Sequence, residues 1–163
     1  MVQFEEVVAQ FGPALARVAA SYAYGAAERE DLLQDILLAV WRALPRFAGR
    51  SSLRTYVFRI AHNRGLSLAR ARKPVHACDS EQLRPDPSPD PEQRAVMSDE
   101  RARLLRAVAE LPIGQRQVLT LVLEGLTHQE VGDVLGLAED NVSMRLSRAR
   151  QALKATLEKD HGG

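Results

Sequence analysis

At 163 residues, with 22 basic and 21 acidic side chains and a net charge of +1, the chain suits one ordinary domain or two small ones and is not basic overall. Its 45 % hydrophobic content supports real cores, while Cys78 as the single cysteine excludes an internal disulfide framework and fits a reducing compartment. The start MVQFEEVVAQF does not read as a signal peptide, no apolar run nears the roughly 20 residues of a membrane span, and His62, His76, His128 and His161 are scattered. The expectation is a cytoplasmic protein without a membrane span, metal or cofactor.

In chain order, Phe4, Val7, Val8, Phe11, Leu15, Val18 and Ala19 recur at helical spacing. Leu32, Leu33, Ile36, Leu37, Val40, Trp41 and Leu44 form a second apolar stripe, punctuated by Pro45 and Gly49. Ser51 or Ser52 can cap a third helix that carries Leu53, Tyr56, Val57, Ile60 and Ala61 inward. Between Asp35 and Asp79 there is no acid, but there are Arg42, Arg46, Arg50, Arg54, Arg59, Arg64, Arg70, Arg72 and Lys73. The same block holds Trp41, Phe47, Tyr56 and Phe58. Arginines interleaved with rings suit single-stranded nucleic acid, where cations hold phosphates and rings stack on bases; a solvated basic face beside a buried aromatic core fits equally well.

The segment 73–93 carries Pro74, Pro85, Pro87, Pro89 and Pro91 and reads as a semi-extended linker. It divides the chain into lobes spanning 1–72 and 94–159, either mobile about the linker or held together by an inhibitor. In the second lobe a helix from about Pro91 stops at Pro112, and another carries Gln117, Val118, Leu121 and Val122 to Gly125. Thr127 then caps a short helix with Val131, Val134 and Leu135 apolar. Gly136 supplies a turn, and a last helix from about Glu139 to Leu157 buries Val142, Leu146, Ala149 and Leu153. A short capped helix, a glycine turn and a longer helix bearing Arg145, Arg148 and Arg150 form a helix-turn-helix pattern, whose second helix enters the major groove. A generic helical hairpin with a basic face is the plainer alternative. The fold class expected is all-α: two small helical domains joined by a Pro-rich linker.

Two stretches resemble one family. Glu28–Asp35 (EREDLLQD), continuing through ILLAVWRAL, is similar to region 2.2 of bacterial sigma factors. Arg46–Asn63 (RFAGRSSLRTYVFRIAHN) resembles regions 2.3 and 2.4 of the two-domain extracytoplasmic-function (group IV) sigma factors, and Leu126–Lys154 resembles their region 4. The resemblance covers essentially the whole chain except the linker and the last few residues. It implies a non-enzymatic subunit that binds core RNA polymerase, directs it to promoters and helps melt the DNA, restrained by an anti-sigma factor. Asp31, Leu32, Gln34, Asp35 and Leu38 match the part that docks on the clamp helices of the largest polymerase subunit, and region 4 the part that meets the flap of the second largest. Asp31 and Asp35 also suit the positive end of a helix; Leu38 and Trp41 could supply apolar contact to the polymerase or equally be core residues, and for Trp41 the core is favoured.

By the same resemblance, Ala43, Phe47 and Asn63 surround a flipped-out base of the −10 element, a geometry in which stacking offsets the cost of unstacking. Arg46, Arg50, Arg54, Arg59 and Arg64 serve as phosphate clamps, with Ser52 in the same −10 surface. Phe47 could instead anchor its loop on the core. Thr127, Gln129, Asn141, Ser143, Met144, Arg145, Ser147 and Arg148 would form the −35 surface, Arg145 and Arg148 foremost. Asp140 and Asn141 stand where the family often has Gly-Thr, Ser143 where Lys or Arg is frequent, and Gly132 where alanine is common. Glu139 and Asp140 suit a helix start but repel phosphate. A dimeric regulator using only the helix-turn-helix would not need the DLLQD helix or the aromatic-basic block. A polymerase or anti-sigma partner that has lost promoter activity is a third reading.

Overall fold

The computed structural model describes residues 1–72 and 99–162, and every element among them is helical. The expected linker, Cys78 and the expected helix start near Pro91 lie outside the described residues. Helix α1, Phe4–Tyr22, buries Val7, Phe11, Ala14, Leu15, Val18, Ala19 and Tyr22, a three–four spacing that keeps one face inward. Gly25, at φ +81°, turns the chain into α2, Gly25–Ala43, which buries Leu32, Ile36 and Val40. One 3-10 turn, Leu44–Arg46, leads to α3, Leu53–Ala71. Ser52 caps α3: its hydroxyl accepts from the Thr55 amide at 3.1 Å.

The three helices close around Leu15, Val18, Ile36, Val40, Val57, Phe58 and Ala61. Each large apolar side chain buried here is worth about 1.5–3 kcal/mol. Gly65 is required by its neighbour, because a Cβ there would lie 2.3 Å from the Tyr22 ring. Arg72 ties the end of α3 to the α1–α2 corner. It sits 3.5 Å over the Tyr24 ring, donates to the Tyr22 carbonyl at 2.9 Å and pairs with Glu28, whose carboxylate also accepts from the Tyr24 amide.

The second lobe consists of α4, Asp99–Ala109; α5, Ile113–Leu123; α6, His128–Leu135; and α7, Glu139–His161. Leu111, Val118, Leu121, Leu126, Val131, Val134, Val142, Leu146 and Ala149 fill its core. Thr127 and Glu130 form a reciprocal capping box at the start of α6, and Gly136 at φ +71° ends it in the left-handed conformation. A Cβ on Gly132 would fall 2.5 Å from the Leu137 carbonyl oxygen, so the tight crossing of α6 and the α6–α7 turn, not helix propensity, accounts for this glycine.

The lobes touch. Helix α6 packs on α3, and α1 on α5. Arg17 of α1 makes a two-pronged pair with Glu124 at 2.5 and 2.8 Å, and Gln117 donates to the Tyr22 hydroxyl at 2.6 Å. The Tyr22 hydroxyl is in turn hydrogen-bonded to His62 Nδ1 at 2.7 Å, inside the joint.

Two expectations are corrected here. Trp41, expected in the core, is 56 % exposed, because Leu32, Ile36 and Val40 define the inward face of α2 and Trp41 lies outside it. Phe58, grouped with the rings available for stacking on bases, is buried edge-on against Phe11, with centroids 6.3 Å apart.

Candidate polymerase and promoter surfaces

The outward face of α2 carries Asp31, Gln34, Leu38 and Trp41, all exposed, with Asp35 partly exposed beside them. The spacing of three and four residues makes this one continuous stripe of two carboxylates, an amide and two apolar side chains. A Trp and a Leu held in water on a rigid helix form a small apolar platform, the kind of anchor that protein interfaces favour. Leu32, expected among the docking residues, is only 4 % exposed and faces the core, so it positions the helix and is not available to a partner. Trp41 belongs on the stripe in its place. Its offset from the four-residue repeat of Leu32, Ile36 and Val40 was the available sequence signal.

The expected −10 surface is assembled from the end of α2, the loop after it and α3. The Tyr56 hydroxyl donates to the Ala43 carbonyl at 2.9 Å, and the Phe47 ring packs against Tyr56 with centroids 5.0 Å apart. Phe47 is thus half-anchored and half-exposed, beside Ala43. Asn63 is exposed two helical turns beyond Tyr56, on the same side of α3. Arg46 and Arg50 are exposed on the loop side. Ser52 has its hydroxyl committed to the helix cap. Arg64 lies 3.4 Å from Asp35.

Arg54 and Arg59 are occupied from the other lobe. Arg54 Nη2 contacts both oxygens of Glu130, at 2.8 and 2.9 Å. Arg59 donates through Nε and Nη2 to the Asp133 carbonyl at 3.2 and 2.7 Å. The Glu130 carboxyl is held below the ordinary range, first by the Thr127 amide and next by Arg54. Neither acceptor was anticipated from sequence.

On the expected −35 surface, Thr127, Gln129, Ser143, Met144, Ser147 and Arg148 are exposed. The Thr127 hydroxyl is engaged in the cap, and Ser143 bonds His128 at 3.1 Å. Asn141 and Arg145 hold each other, Nε to Oδ1 at 3.1 Å, and Arg145 lies over Gly114 of α5. Arg148 is the freer of the two arginines; Arg145 is half-buried.

The chain matches Sigma-70 region 2 over residues 7–74 and Sigma-70, region 4 over residues 101–153. It is 32 % identical to the RNA polymerase sigma factor CnrH of Cupriavidus metallidurans, over 96 % of this chain and 87 % of that protein. The chain belongs to the extracytoplasmic-function (group IV) sigma factors. It directs RNA polymerase and is not itself an enzyme. It is also 39 % identical to the ECF RNA polymerase sigma factor ShbA of Streptomyces griseus, over 79 % of this chain and 71 % of that one. The structure of CnrH in complex with the cytosolic domain of CnrY superposes with a TM-score of 0.70 at 30 % identity, covering 96 % of this chain and 88 % of that one. Sigma factor RpoE in complex with the anti-sigma factor NepR from Bartonella quintana gives 0.79 at 27 % identity, covering 95 % and 96 %. Among the described residues, no helix of this sigma factor is long and apolar enough to cross a membrane.

Proposed function

We propose that this sigma factor docks on the clamp helices of the largest polymerase subunit through the outward stripe of α2, with Asp31, Gln34, Asp35, Leu38 and Trp41 in contact. The single observation that carries the reading is that stripe: acids and an exposed Trp–Leu pair share one face of a helix whose opposite face is fully committed to the core. The second lobe meets the flap of the second largest subunit. Ala43, Phe47 and Asn63 line the receptor for an unstacked −10 base, with Arg46, Arg50, Arg54, Arg59 and Arg64 on the phosphates. The start of α7 reads the −35 element, led by Arg148. The solved relative in complex with the anti-sigma factor NepR supports an anti-sigma factor as a further partner.

Run-off transcription with sigma-free bacterial core polymerase on a genomic promoter library tests this. Specific transcripts that vanish with Asp35→Arg and drop at least ten-fold with Trp41→Ala are expected. No transcripts, with DNA binding by the protein intact, would instead favour a regulator that never joins polymerase.

A further inference from the structure

The residues expected to receive an unstacked −10 base stand on separate elements: Ala43 at the end of α2, Phe47 in the loop after it and Asn63 on α3. A receptor for a flat base works only if its walls keep their places to within about half an ångström. The chain between Ala43 and Phe47 does not provide that by itself. The Phe47 amide, which would close the next α turn on Ala43, instead bonds the Leu44 carbonyl at 3.0 Å, and Phe47 leaves the helix in an extended conformation. Gly49 at φ +70° then lets the loop turn before Ser52 caps α3. A side chain from across the loop takes the Ala43 carbonyl: the Tyr56 hydroxyl donates to it at 2.9 Å. The Tyr56 ring meets the Phe47 ring at 5.0 Å between centroids, with the planes inclined at 46°. Tyr56 is itself fixed, because its amide bonds the Ser52 carbonyl at 3.0 Å at the start of α3. Asn63 follows two turns later on the same rigid helix.

We propose that Tyr56 is a positioning residue for base recognition at the −10 element: its hydroxyl and ring hold Ala43 and Phe47 in place relative to Asn63, without touching the base. The proposal rests on the reading of Ala43, Phe47 and Asn63 as the base receptor. One side chain contacts two walls of that receptor and stands on the helix that carries the third. Both of its working ends are spent inside the protein, the hydroxyl proton on a carbonyl and the half-buried ring on Phe47. The two contacts differ in kind. A hydrogen bond to a carbonyl is directional, whereas a tilted ring contact tolerates sliding. The hydroxyl therefore sets where Ala43 and Phe47 lie along α3, and its loss frees them to shift relative to Asn63. The arginines nearby act differently. Arg46 and Arg50 are exposed on the loop side, and a phosphate contact carries no base identity. Tyr56 governs selectivity at one position, and the arginines govern affinity at all.

The test uses the full chain bound to sigma-free core polymerase and a short single-stranded DNA randomised at every position. Sequencing the bound fraction reads base preference position by position, and total capture reads affinity. Tyr56→Phe removes only the hydroxyl and keeps the ring on Phe47, whereas Tyr56→Leu removes both contacts. Phe47→Ala removes a wall of the receptor, and Arg50→Ala removes a phosphate contact. Phe47→Ala should erase the preference at one position. Tyr56→Phe should weaken the preference at that same position by roughly two- to ten-fold, with the other positions unchanged. Tyr56→Leu should lose more there, and Arg50→Ala should lower capture of all sequences alike. The melting temperature of Tyr56→Phe should fall by only about 2–4 °C, so the loss is not one of folding. A preference erased by Phe47→Ala but intact in Tyr56→Phe and Tyr56→Leu would overturn the positioning role and leave the base receptor standing. A Tyr56→Phe protein that binds every sequence more weakly, with preferences kept, would overturn it in favour of a merely structural tyrosine. Preferences untouched by Phe47→Ala would overturn the receptor itself, and the proposal with it.

Discussion

The guanidinium of Arg64 lies 3.4 Å from the carboxylate of Asp35, joining α3, which carries the proposed −10 surface, to α2, which carries the proposed docking stripe. Each side chain keeps more than two-fifths of its surface in water, at 41 % and 46 %. An exposed pair of this kind contributes about 0–1 kcal/mol to stability. Arg64→Ala should therefore shift the melting temperature by no more than about 4 °C, while lowering run-off transcription at a fixed promoter several-fold. Arg64→Lys should recover part of the activity. A large loss of stability in Arg64→Ala would make the pair structural.

Gly132→Ala offers a sharper stability test. Alanine is the better helix former by about 1 kcal/mol, so propensity alone predicts stabilisation. The structure predicts the opposite, because the added Cβ would stand 2.5 Å from the Leu137 backbone oxygen, which cannot rotate away. A loss of about 1–3 kcal/mol is expected from the forced shift. Urea unfolding followed by circular dichroism decides between the two signs.

His62 gives the protein an acid sensitivity of its own. Burial pushes its pKa down to about 4 from 6.5, and its Nε2 has no partner. The unfolded chain binds a proton below pH 6.5, whereas the folded chain resists until about pH 4, so stability is present above 6.5 and falls with pH across that window. The full effect is on the order of 3 kcal/mol. His62→Gln, whose amide oxygen can still accept from Tyr22, should flatten the difference. The measurement is melting temperature against pH for both proteins; parallel curves between pH 6.5 and 4.5 would contradict the assignment.

Glu139 and Asp140 sit exposed in the first turn of α7, where the N-cap, Ala138, offers no side-chain bond. They stabilise the helix start and repel duplex phosphates at the same place. Glu139→Gln/Asp140→Asn should cost about 0.5–2 kcal/mol of stability and tighten duplex binding several-fold at low salt. The gain should shrink as salt is raised. Fluorescence anisotropy at two ionic strengths measures it, and an affinity that is unchanged at low salt would count against phosphate repulsion at this position.

Much of the fold was legible because helical periodicity is a local signal. The stripes Leu15–Val18, Leu32–Ile36–Val40 and Val142–Leu146–Ala149 pick out buried faces without any knowledge of neighbours, and Ser52, Thr127 and Gly136 announce their caps and turn. What was not legible depends on which face wins when two are apolar. Trp41 extends the apolar run of α2 but turns outward, whereas Phe58 and His62 lie among arginines yet turn inward. The contacts of Arg54 and Arg59 pair residues more than seventy positions apart, and no spacing in the chain encodes them. Gly132 reads as a propensity defect until the turn that crosses it is seen.

The clasp between α3 and α6 also bears on dose. For a ligand that needs Arg54 and Arg59 free, a binding-competent fraction f multiplies the apparent dissociation constant by 1/f. Half-exposed pairs such as Arg54–Glu130, 36 % and 28 % exposed, shift such an equilibrium only a few-fold each. The contact therefore acts on the arginine face of α3 alone: the outward stripe of α2, with Asp31, Gln34, Leu38 and Trp41 exposed, stays open while the contact is made.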